Sequence, residues 1–124
     1  MNNSDLAKTF EVCLNFMYRN FPDLPLQKID KTLHLTKKSG YFGICRRKSG
    51  YFTIGINKNF VLYGSNKAII STLLHEITHT LPNCFNHKTQ FKTVANKILE
   101  LSGFDIVKYS DFSDSDSKTL KMKS

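Results

Sequence analysis

His75-Glu76-Ile77-Thr78-His79 is the stretch of this 124-residue chain whose residue types and spacing can do chemistry. On a helix each residue turns by about 100°, so His75 and His79 share a face, one turn apart. Two imidazoles placed this way can reach one metal ion at the zinc–nitrogen distance of about 2.0–2.1 Å. Glu76 is rotated to the side of that face. It is poorly placed to be a ligand, but it can take the proton of a water that the metal acidifies. That is general-base attack on a polarised carbonyl. A purely structural zinc site has no need of this glutamate.

A hydrolytic zinc site uses three protein ligands and keeps a fourth position open. His87 and Glu100 are the candidates for the third. If both lie on the last helix, their separation of thirteen positions amounts to about 20 Å at 1.5 Å per residue, so they cannot bind the same ion. His87 is favoured. It follows a break at Pro82-Asn83 that lets the chain turn back under the metal, whereas Glu100 suits a helix surface. Cys84 lies between the histidines and reads as a loop cysteine rather than a ligand. His34 has no neighbour at ligand spacing and reads as an ordinary surface or core histidine.

The rest of the chain must position this stretch. Leu6, Phe10, Cys13, Leu14 and Met17 recur at helical spacing, with Ser4 as N-cap, and predict a helix over 4–20. Runs 31–37, 41–47 and 51–57 are rich in aromatic and β-branched residues and are separated by Ser39-Gly40 and Ser49-Gly50. They predict a three-stranded antiparallel meander. Residues 58–66 read as a loop. Ser65 caps a helix that Pro82 stops at about Leu81. Its residues Ile69, Ile70, Leu73, Leu74, Ile77 and Leu81 form an apolar stripe opposite the histidines. Ser71, Thr72 and Thr78 flank the histidines and are expected to leave a hollow polar side. A last helix starts with Asn86 as cap, carries Phe91, Val94, Ala95, Ile98, Leu99 and Leu101, and closes at Gly103. Phe104–Val107 would follow as an extended coda.

Thr72-Leu-Leu-His-Glu-Ile-Thr-His-Thr-Leu81, followed by Asn86-His87-Lys-Thr-Gln-Phe91, resembles the SprT-like and WLM group of minimal zincin metallopeptidases. That group shows H-E-x-x-H, then a third histidine commonly preceded by glycine, then an aromatic four residues later. The resemblance implies a zinc peptidase with His75, His79 and His87 as ligands, Glu76 catalytic and Phe91 as a packing aromatic. It also implies an α+β fold: an N-terminal helix, a three-stranded antiparallel sheet, the H-E-x-x-H helix and a final helix. This minimal zincin-like domain would span 1–109, with a disordered tail over 110–124. Asn86 stands where the group usually has glycine, Thr78 and Thr80 stand where small residues are frequent, and no zinc-ribbon appendage follows. In such a fold Tyr51–Asn57 would be the cleft edge to which a peptide adds as a strand. Tyr41, Tyr51, Tyr63 and Tyr109 are candidates for stabilising the oxyanion. Members of the group cleave proteins crosslinked to DNA, so protein and DNA are the implied partners.

Charge agrees with a polyanionic partner. The chain carries +8, and the last fifteen residues sum to zero, so the excess lies in 1–109. Lys37, Lys38, Arg46, Arg47, Lys48 and Lys58, interleaved with Tyr41, Phe42, Tyr51 and Phe52, form a candidate nucleic-acid patch. A non-catalytic, zinc-containing nucleic-acid-binding module is therefore the competing reading, and a zinc hydrolase acting on a small amide is a third. Three widely spaced cysteines without C-x-x-C, no signal-peptide pattern and no long apolar run point to an intracellular protein that engages no membrane.

Overall fold

A computed structural model describes residues 1–25, 27–37 and 40–107. The expected tail, 110–124, and Tyr109 lie outside them. The elements in order are α1 (Asn3–Asn20), β1 (His34–Thr36), β2 (Gly43–Lys48), β3 (Tyr51–Asn57), α2 (Lys58–Tyr63), α3 (Asn66–Thr78) and α4 (Thr89–Ser102). The chain is α+β. No helix among the described residues is long and apolar enough to cross a membrane.

α3 is the central element, packed on α1, on α4 and on β2 and β3. Ser65 caps it by accepting from the Ala68 amide, a contribution of about 1 kcal/mol. Ile69, Leu73 and Ile77 are fully buried, each contributing about 1.5–3 kcal/mol relative to exposure. The expected stripe of α1, from Leu6 to Met17, faces inward. Its cap is Asn2, which accepts from the Asp5 amide, rather than Ser4. α4 buries Phe91, Val94, Ala95 and Ile98. Leu99 and Leu101, expected on that face, are 44% and 50% exposed. Gly103 ends the helix in the left-handed conformation, φ 80°, which glycine adopts without a Cβ clash.

The sheet is mixed, not an antiparallel meander. Its order is β1-β3-β2. β2 and β3 form the expected hairpin, closed at Gly50 with φ 84°. β1 pairs parallel to β3 instead of antiparallel to β2. The parallel pairing starts earlier, where Phe52 donates to the Lys28 carbonyl and accepts from the Asp30 amide. A Ser-Gly turn signals that the chain reverses, but not which strand the next run will join. β3 is therefore central and cannot be the cleft edge. The edge near α3 is β2.

Residues 58–63, expected as loop, form α2. The Asn57 side chain caps it, accepting from the Asn59 and Phe60 amides, and Phe60 stacks on Phe42 at 4.3 Å. α3 ends at Thr78, one turn before Pro82. The chain then tightens into i→i+3 hydrogen bonds from Thr80 to Ile77 and from Leu81 to Thr78, so Pro82 stops a turn that has already left the helix.

Candidate metal centre

His75 and His79 project from the last turn and C-cap of α3. Beyond them, Asn83 takes the left-handed conformation, φ 62°, which asparagine tolerates better than most residues. The reversal brings His87 back to the first two. Asn86 does not cap α4 as expected. Its side chain instead accepts from the Lys88 amide, so His87 sits two residues before the helix, next to the N-cap Lys88.

The Nε2 atom of His75 lies 3.1 Å from that of His79 and 3.0 Å from that of His87. Ligands at two apices of a tetrahedron with bonds of 2.0–2.1 Å would be about 3.3 Å apart. The three histidines are brought within 4.8 Å of one another at ligand atoms, and Glu100 lies outside that group, exposed on α4. Cys84 contributes its backbone, not its buried thiol, which burial pushes above the ordinary range. His34 is exposed and pairs with Asp30 at 3.1 Å.

Two carbonyls fix the tautomers. Nδ1 of His75 donates to the Ile106 carbonyl at 3.1 Å, and Nδ1 of His79 donates to the Cys84 carbonyl at 2.8 Å. A carbonyl can only accept, so both Nδ1 atoms carry hydrogen and both Nε2 atoms of the neutral rings present lone pairs. Lone pairs facing each other at 3.1 Å repel unless a cation stands between them. A proton is a poor candidate for that cation. Burial, and then the neighbouring His79 and His87, push His75 down to about 3, and burial chiefly lowers His79 as well. A metal ion fits the donor set. The same second contacts hold metal-ligating histidines in many sites.

Glu76 completes the arrangement. Its Oε1 is 3.9 Å from Nε2 of His75 and 4.0 Å from Nε2 of His79, too far for a hydrogen bond but suited to a water lying between. Its Oε2 is buried without a hydrogen-bond partner among the described residues. Burial pushes the carboxyl up to about 8. A buried, unpartnered carboxylate oxygen is costly, and a dication beside it would offset that cost.

The polar side of α3 is not the hollow expected. Ser71, Thr72 and Thr78 are buried, as are His75 and His79 at 4% and 8% exposure. β2 closes in through Gly43, where a Cβ would meet Thr72 Cγ2 at 2.7 Å and Glu76 Cγ at 2.9 Å. The Phe91 ring lies 4.8 Å from those of His75 and His79 and 5.0 Å from that of His87, so it packs against all three histidines. His87 is the exposed member of the three.

The candidate patch on β2 is divided by the pleat. Arg46 and Lys48 pair with Thr53 and Tyr51 and line a groove of about 300 Å³ on the outer sheet face. Arg47 pairs with Phe52 on the inner face, and Phe42 is core. Tyr51, being on the outer face, is removed from the oxyanion candidates. Ile106 and Cys84 were not legible as site residues, because any residue offers a carbonyl.

Three imidazoles from a helix end and a returning turn, with one carboxyl group beside them, form a cluster that could hold a single metal ion. The SprT-like family model matches residues 8–110, and the chain belongs to that family. Membership is consistent with a zincin-type peptidase. No curated protein and no solved structure matches the chain.

Proposed function

We propose that this chain is a zinc-dependent endopeptidase that hydrolyses peptide bonds with Glu76 as general base. The observation that carries the reading is the position of Glu76 Oε1, about equally far from Nε2 of His75 and of His79, with Oε2 buried and unpartnered among the described residues. His75, His79 and His87 would hold the ion. Zinc, when bound, supplies Lewis acidity that acidifies water and polarises the scissile carbonyl. Glu76 accepts the proton of the attacking water and passes it to the departing amine. The Ile106 and Cys84 carbonyls hold the ligand rings in one tautomer.

An extended substrate would lie on β2. Asn57 donates to the Phe42 carbonyl, so the hydrogen-bonded pairs with β3 fall at even-numbered residues of β2. The amides and carbonyls of Gly43, Cys45 and Arg47 then point to the free edge, which a peptide strand can join. Gly43 stands over Glu76, so that edge runs past the metal. The net positive charge, with Arg46 and Lys48 on the outer sheet face, supports substrates that are bound or crosslinked to DNA.

The test is cleavage of a DNA-bound protein by zinc-loaded wild type and Glu76→Gln. Wild type should cleave, and Glu76→Gln should be slower by about 10²-fold or more with its zinc retained. Equal inactivity of two zinc-loaded proteins would sink the peptidase reading. Cleavage that is indifferent to DNA would remove the DNA-linked part alone.

A further inference from the structure

Arg47 projects from the inner face of β2 toward the loop that carries Cys84 and His87. Its guanidinium lies 4.4 Å from the centre of the Phe85 ring and 5.8 Å from that of Phe52. Phe85 is 43% exposed, and its ring is 6.1 Å from that of His79. The cation is thus two rings from the metal and bridges the free sheet edge to the ligand loop. Aromatic rings engage the face of a guanidinium and leave its in-plane N–H groups available. Among the described residues nothing accepts from those groups, and every ion pair involves a histidine instead. Arg46 and Lys48 point to the opposite face. On this side β2 therefore offers one oriented charge with free donors rather than a cationic track.

We propose that Arg47, oriented by Phe85, is a specificity-determining residue that selects substrates with an acidic side chain a few positions from the scissile bond. This rests on the peptidase reading above. A guanidinium with its edge free binds a carboxylate in a two-point fork. Arg47 is four residues along β2 from Gly43, about 13 Å at 3.3 Å per residue. It therefore addresses a side chain beyond those flanking the cleaved bond.

The test is competition among peptides that carry Glu, Gln or Lys at each of the four positions on either side of a central bond. Zinc-loaded wild type should favour Glu at one position by about tenfold in kcat/KM. Arg47→Lys should weaken that preference, and Arg47→Glu should reverse it toward Lys. No charge preference in wild type, or a preference that survives Arg47→Glu, overturns the proposal. So does a result in which Arg47→Glu loses affinity for a single-stranded oligonucleotide while the peptide preference stays. If wild type cleaves no peptide, the peptidase reading has failed by itself. Binding of the same peptides to zinc-loaded protein then decides: tighter binding of Glu peptides, reversed by Arg47→Glu, supports the acidic contact, and equal binding refutes it.

Discussion

The main-chain carbonyl of Ile106 accepts the Nδ1 hydrogen of His75 across thirty-one residues of sequence, at 3.1 Å. The segment after α4 thus aims an imidazole on α3, and the fully buried Ile106 side chain anchors it. Truncation after Ser102 should lower zinc affinity by about 10–100-fold, whereas truncation after Val107 should leave it unchanged. Competition with a chromophoric chelator measures both. Equal affinities would show that the aim of His75 does not depend on this carbonyl.

His87→Ala should lose stoichiometric zinc, and Glu100→Ala should keep it. Metal content after dialysis against a weak chelator separates them. The reverse pattern would place the third ligand on α4 and invalidate the site as described.

Gly43→Ala puts a Cβ where Thr72 Cγ2 and Glu76 Cγ already stand. The helix is packed on every side, so β2 must move. The cost should be about 1–3 kcal/mol in urea unfolding, with activity reduced while zinc is retained. Thr72→Ser removes the nearer methyl and should recover part of both losses in the double variant. Additive effects would show that the two sites do not touch.

The metal-free protein should show a pH dependence set by two opposed groups. Folding lowers His75 from 6.5 to about 3. The unfolded chain therefore binds its proton first, and stability rises between those values. Folding raises Glu76 from 4.5 to about 8. The folded chain holds that proton longer, so stability falls across that window. From pH 6.5 to 8 the Glu76 decline acts without the His75 rise. Urea midpoints of metal-free wild type should drop over that interval, and those of Glu76→Gln should drop less. Parallel curves would mean that Glu76 is ionised in the metal-free fold.

Features written in local pattern were legible in the sequence. The α1 stripe, the Ser65 cap, the Gly103 stop and the three-histidine set all depend on residue type at short spacing. His87 could be read because Pro82-Asn83 announces a reversal. Strand order was not legible, since identical Ser-Gly turns precede β2 and β3 but only the second closes a hairpin. α2 spans six residues, too few for a period, although Asn57 before it was an available capping signal. The burial of Thr72 was hidden because β2 comes close to it at Gly43, a glycine thirty-three positions before Glu76 in the sequence.

The ligand helix is also the centre of the core, and this divides the motif into parts with different fates under drift. His75 and His79 fill interior volume and donate to remote carbonyls, so a descendant with no hydrolytic activity would still be under pressure to keep them. Glu76 is as buried as the histidines, but its Oε2 meets no hydrogen-bond partner among the described residues, so no such bond ties it to the fold. On the peptidase reading, glutamate at 76 is therefore the mark that separates a working enzyme from a retired one among descendants of this chain, and the histidines are not.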